Sequence, residues 1–137
     1  RCEKVAEIEG ITYINDSKAT NVGATLAAID GLSDNSIHLI LGGVGKGADF
    51  SDLKPAINKQ VTSVSLIGEC TDELFELLKD ECEIKKHETL ADSVKWLFEN
   101  ANENDVVMLS PACASFDMFK NFEKRGEAFV EIVESLK

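Results

Sequence analysis

The chain has 137 residues, 44% of them hydrophobic, and a formal net charge of −11. That length suits one domain of roughly 100–150 residues, and the apolar content is too high for a disordered chain. The acidity argues against nucleic acid or an anionic membrane as partner, and no apolar run approaches the ~20 residues that span a bilayer.

Arg1 leads into a charged, alternating segment rather than a signal peptide, and the start without Met reads as a piece of something longer. Glu3 to Ile14 reads as extended, with Val5, Ile8, Ile11, Tyr13 and Ile14 spaced through polar residues and Glu9-Gly10 as a hairpin turn. Val22, Leu26 and Ile29 then stand at helical spacing, with Gly31 as a C-terminal stop. Ile37 to Leu41 is a continuous apolar run ending in glycines, which predicts a buried strand. Ser51 is expected to cap a short helix whose first turn tolerates Pro55. Val61, Val64, Leu66 and Ile67 predict a strand ended by Gly68, and Leu74, Phe75, Leu77 and Leu78 a helix after Thr71. A short extended piece lies near Ile84. Thr89 and Asp92 resemble a capping box ahead of Leu90, Val94 and Leu97. Val106 to Leu109 is a further apolar strand. A last helix is expected from about Asp117 to Ser135, with Phe119, Phe122, Phe129, Val133 and Leu136 on one side and Gly126 packed closely against the sheet.

Alternating strands and helices with uniformly apolar inner strands imply α/β architecture: one doubly wound, mostly parallel sheet with helices on both faces. In such sheets ligands bind beyond the carboxyl ends of the strands. Three chemically rich loops follow strand ends here, after Ile14, Leu41 and Leu109, so they are expected to share one rim and one anionic ligand.

The first loop, Asn15 to Asn21, carries Asp16, Ser17, Lys18 and Thr20 just ahead of a helix. Free N–H groups at a helix start favour an anion, and Lys18 adds a full charge. Asp16 suits a ribose hydroxyl or a cation instead; the plainer alternative is that Asp16 or Thr20 merely caps the helix and Lys18 is solvated. The second loop, Gly42 to Phe50, is not a P-loop, because Ile40 stands five before Gly45 and Gly47 follows Lys46 where a hydroxyl should be. It is a glycine-rich turn presenting Lys46, a point charge for carboxylate or phosphate. The third loop, Ser110 to Phe116, offers the Ser115 hydroxyl and backbone N–H groups to a carboxylate at the start of the last helix.

Cys2, Cys70, Cys82 and Cys113 form no Cys-x-x-Cys pair, and no histidine stands at zinc-ligand spacing, so they read as reduced, mostly buried thiols. Cys113 has no neighbouring histidine to activate it and reads as packed. His38 and His87 read as structural or solvated, and Phe119 and Phe122, by spacing, as core.

Asn15 to Asn21, Leu41 to Phe50, and the run Leu109 to Gly126 (LSPACASFDMFKNFEKRG) together resemble the C-terminal domain of the Mur ligases, in particular the branch that adds D-glutamate. The motifs stand in family order over nearly the whole chain. The resemblance implies a Rossmann-like domain, residues 1–137, that presents the incoming amino acid, while a UDP-sugar domain and a central ATPase domain lie outside this chain. It implies a cytoplasmic, monomeric, ADP-forming ligase of peptidoglycan precursor synthesis that joins D-glutamate to UDP-MurNAc-L-Ala through an acyl phosphate, with ATP and Mg2+ held mainly by the central domain. Thr20 and Lys46 would hold D-glutamate carboxylates. Ser115 and the backbone around Phe122 would hold the side-chain carboxylate, with Phe116 beside it. Arg1 and Asp16 resemble nucleotide contacts, and Lys18 lies near the transferred phosphate as the catalytic cation. Phe116 departs from the smaller aliphatic residue of many relatives. Positioning of the amine then requires the domain to close on the central one, with a hinge just before Arg1.

Two other readings compete. One is a related ATP-dependent amide ligase of the folylpolyglutamate synthase type, which the third loop disfavours. The other is a stand-alone anion-binding module, since the chain carries no P-loop and no recognisable metal site; the isolated domain is expected to be inactive.

Overall fold

The computed structural model describes residues 2–137. A six-stranded sheet runs in the order β1-β2-β6-β3-β4-β5. Its strands are β1 (Glu3–Ile8), β2 (Ile11–Asn15), β3 (Ile37–Gly42), β4 (Val61–Ile67), β5 (Glu83–Lys86) and β6 (Val106–Leu109). Among the described strands only β1 and β2 pair antiparallel; the other neighbours are parallel. Glu9 and Gly10 close that hairpin with φ of +53° and +79°, two consecutive left-handed residues as a tight primed turn requires.

Five helices cover the faces: α1 (Val22–Asp30), α2 (Leu53–Gln60), α3 (Thr71–Leu78), α4 (Leu90–Asn100) and α5 (Phe122–Glu134). Strand alternation divides the core in two. Leu39 and Leu41 of β3 and Met108 of β6 face one cluster with Ile29, Ile57 and Leu74. Ile40, Val107 and Leu109 face the other, with Leu97, Phe129 and Val133. Both faces of β3 and β6 are dry, which is why those strands carry unbroken apolar runs. The short extended piece near Ile84 is the edge strand β5, paired with β4.

Gly31 closes α1 as expected, its N–H donating to the Ala27 carbonyl at 3.0 Å. Three local expectations need correction. Ser51 does not cap α2; Asp52 takes the N-cap position, and the Ser51 N–H donates to Asp49 Oδ1 at 2.9 Å. The last helix begins at Phe122, not Asp117. The Met118 and Phe119 N–H groups both donate to the Ser115 carbonyl, closing a separate turn, and Asn121 then caps α5 by accepting from the Lys124 N–H at 2.8 Å. Finally, of the four cysteines, all free, only Cys113 is fully buried; Cys2 is exposed. Thr89 does cap α4, accepting from the Asp92 N–H at 3.1 Å.

Candidate functional site

The sheet order places β6 between β2 and β3, all three parallel, so their carboxyl ends open on one edge. The loops follow the same order. The third loop lies between the other two and is bonded to both. On one side the Ala112 N–H donates to the Ala19 carbonyl at 2.9 Å. On the other, the Gly42 N–H donates to the Pro111 carbonyl at 3.0 Å, and Val44 and Ala114 exchange two backbone bonds, at 2.8 and 3.0 Å. Ala112 holds φ at +62°, a left-handed turn that swings the chain over the end of the sheet.

In the first loop Asp16 is buried and accepts the Ser110 hydroxyl at 2.8 Å, while the Thr25 hydroxyl donates to the Ser110 carbonyl at 3.0 Å. Neither Asp16 nor Thr20 caps α1. Asn21 does, accepting from the Ala24 N–H at 2.9 Å. The capping role expected of Asp16 or Thr20 thus falls to Asn21, the last residue of the same loop. Thr20 is half-buried beside the Ala19–Ala112 bond, and Lys18 is exposed.

Ser17 leads to a residue that sequence reasoning missed. Its hydroxyl donates to the Phe122 carbonyl at 2.7 Å and accepts from Arg125 Nε at 2.8 Å. Arg125 also donates to the Ser17 carbonyl at 2.7 Å and the Cys113 carbonyl at 3.0 Å. It is 1% exposed, and burial pulls its pKa down to about 10, still protonated at neutral pH. An arginine in the charged run Glu-Lys-Arg looks solvated; the one available signal was the adjacent Gly126, which marks close approach. A Cβ on Gly126 would stand 2.9 Å from Asn15 Nδ2 and 3.3 Å from Ser17 Cβ, so the close packing falls on the end of β2 and the first loop.

Lys46 projects from the second loop at φ +53°, its ammonium 5.6 Å from the centroid of the Phe116 ring. Phe116 is 65% exposed, whereas Ser115 is buried with no hydrogen-bond partner for its Oγ. An unpaired buried hydroxyl costs about 1–3 kcal/mol, which a ligand acceptor would offset. Ser115 is not at a helix start as expected, because α5 begins seven positions later.

Five of the predicted residues fall into two groups, while Asp16 and Thr20 stay with the first loop outside both. Lys46 and Phe116 meet where the second and third loops join, with Ser115 next to Phe116 in the chain. Lys18 and Phe122 line an open groove of about 790 Å³ between the first loop and α5, together with Asn15, Ser17, Gly126 and Val130. Phe119 packs against the second core cluster; Phe122 belongs to neither cluster and forms groove wall instead. Arg1, the expected nucleotide contact, lies outside the described residues.

No nucleophile emerges. Burial pushes the Cys113 thiol up to about 12, far from a thiolate at neutral pH. His38 joins Ser63 Oγ at 2.7 Å and Asp105 Oδ2 at 2.8 Å, a serine–histidine–carboxylate set. That set sits at the amino ends of the strands, with His38 fully buried and Ser63 1% exposed, so it binds β3, β4 and the turn before β6 rather than substrate. His87 bonds Ser65 Oγ at 2.7 Å and packs at a tilt of 48° against Trp96, also a structural role. Among the described residues, no group of three or more His, Cys, Asp and Glu side chains could hold a metal ion, and no helix is long and apolar enough to cross a membrane.

A doubly wound sheet with its candidate ligand rim at the carboxyl ends of β2, β6 and β3 defines an α/β domain of the Rossmann-like class. The family model for the Mur ligase, glutamate ligase domain, matches residues 1–113, and the chain belongs to this family. Two curated relatives, both called UDP-N-acetylmuramoylalanine--D-glutamate ligase, are similar along 99% of the chain: that of Pseudomonas fluorescens at 49% identity and that of Hahella chejuensis at 50%. The chain spans 31% of the length of each. Among solved structures, a domain from a putative UDP-N-acetylmuramate:L-alanyl-gamma-D-glutamyl-medo-diaminopimelate ligase of Haemophilus ducreyi superposes with TM-score 0.67 at 18% identity, covering 99% of this chain and 96% of that one. E. coli FolC in complex with ADP gives TM-score 0.67 at 17% identity, over 99% of this chain and 31% of that one. Both likenesses show the fold alone.

Proposed function

We propose that this chain is the amino-acid-presenting domain of a cytoplasmic, ADP-forming ligase that adds D-glutamate to UDP-N-acetylmuramoyl-L-alanine in peptidoglycan precursor synthesis. The observation that carries this reading is the Val44–Ala114 backbone bridge, which brings the Lys46 and Ser115 loops together, with the Lys46 ammonium over the neighbouring Phe116 ring. Identity near 49% to ligases of that name along the whole chain supports D-glutamate over the folate-type alternative, whose support is fold alone.

D-glutamate carries two carboxylates and one amine. In this proposal Lys46 and Thr20 hold one carboxylate, and Ser115 with the backbone at Phe122 holds the other. In a protein of net charge −11, such local donors must overcome the repulsion of the whole molecule. The carboxylate of UDP-N-acetylmuramoyl-L-alanine takes the terminal phosphoryl group of ATP, releasing ADP. The D-glutamate amine then attacks the acyl carbon, the C–N bond forms, and phosphate leaves. Lys18 stands beside the transferred phosphoryl group; Arg1 and Asp16 are assigned to the nucleotide. ATP, Mg2+ and the UDP-sugar are assigned to domains that make up the other two thirds of the relatives' length. The domain's contribution is positioning, worth several kcal/mol of barrier.

The test is ADP release by the intact protein, as a monomer, with UDP-N-acetylmuramoyl-L-alanine and ATP. Release on addition of D-glutamate, and none on L-glutamate, supports the reading; equal release with both, or release only with a folate acceptor, overturns it. The 137 residues alone should release none.

A further inference from the structure

The exposed ring of Phe116 has no place in the core, yet it has one definite partner. It is 65% exposed, whereas the other large apolar side chains among the described residues are buried or half-buried. Lys46 and Phe116 each lie two residues beyond the Val44–Ala114 bridge, and the Lys46 ammonium stands 5.6 Å from the ring centroid, within cation–π range. Among the described residues no carboxylate forms an ion pair with Lys46. Lysine is a long, rotamer-rich side chain, and here it springs from a left-handed backbone position followed by Gly47, whose surroundings are open. Without the ring, little would fix where its charge sits.

We infer that Phe116 is a positioning residue: its ring holds the Lys46 ammonium over the rim so that an acidic amino acid's carboxylate meets a cation already in place beside Ser115. The inference rests on the proposed function and deepens it. An aromatic face attracts the ammonium through its quadrupole without neutralising it, so the charge stays available to the ligand, as a carboxylate partner would not leave it. Ordering the lysine before binding removes part of the side-chain entropy that binding would otherwise lose.

In the intact enzyme, Phe116→Leu should raise KM for D-glutamate about three- to tenfold, with a smaller effect on kcat. Phe116→Tyr should restore it. Replacing Phe116 by mono-, di- and trifluorophenylalanine should raise KM stepwise as the ring face loses negative potential at nearly constant shape, a series that a purely steric role would not follow. The inference is overturned if the fluorinated series leaves KM for D-glutamate unchanged, whatever Phe116→Leu does. If the wild-type enzyme shows no D-glutamate-dependent ADP release, the proposed function itself fails and this inference with it, an outcome visible before any variant is made.

Discussion

Arg125 and Ser17, 108 positions apart, are joined by two hydrogen bonds: guanidinium Nε to the serine hydroxyl at 2.8 Å and Nη2 to the serine carbonyl at 2.7 Å. The third bond of the same guanidinium reaches the Cys113 carbonyl at 3.0 Å. One buried cation on α5 thus sets the distance between the first loop, with Lys18, and the third, with Ser115. Three different nitrogens of the planar guanidinium reach these three acceptors; the donors of a lysine ammonium radiate from one atom and cannot span them.

Arg125→Lys should therefore destabilise the chain by about 3 kcal/mol, because buried acceptors lose their donors. Urea unfolding of the 137-residue chain measures it. A loss well under 1 kcal/mol would contradict the role assigned to the guanidinium.

Gly126→Ala opposes two effects. Alanine gains about 1 kcal/mol of helix propensity, but its Cβ would stand 2.9 Å from Asn15 Nδ2 and 3.3 Å from Ser17 Cβ. The contact with Ser17 pushes on the loop bearing Lys18, so ligase activity of the intact protein should fall even where the melting temperature holds. Full activity with an unshifted melting temperature would show that the loop yields freely.

The sheet was legible in the residues because β3 and β6 are dry on both faces, leaving continuous apolar runs. The three loops were legible because they carry more polar chemistry than strand-to-helix turns need. The groove wall was not. Phe119 and Phe122 look like a helical pair, but α5 starts at Phe122, so the spacing was counted along a helix that does not yet exist. Arg125 was invisible for a different reason. Its partners are a serine and two carbonyl groups more than ten positions away, and nothing in a local charge pattern announces backbone acceptors.

His87 gives a pH prediction. Burial first, then the charge of Lys85, holds its pKa below the usual histidine value, with Asp92 partly opposing. The unfolded chain therefore takes up the proton before the folded one. The stability from neutral His87 is complete above the unfolded pKa of about 6.5 and is lost as pH falls from there through the folded value. Between about pH 7.5 and pH 5 the urea midpoint of the wild type should drop further than that of His87→Gln. Parallel pH curves would remove His87 from the account.

The central claim is that Lys46 and Ser115, from separate loops, hold the two carboxylates of one ligand. A double-mutant cycle on KM for D-glutamate in the intact enzyme tests it most directly. Lys46→Ala should raise KM at least tenfold, Ser115→Ala about three- to tenfold, and neither should change the KM for ATP by as much. The contradicting result is saturation by D-glutamate in Lys46→Ala at wild-type concentrations.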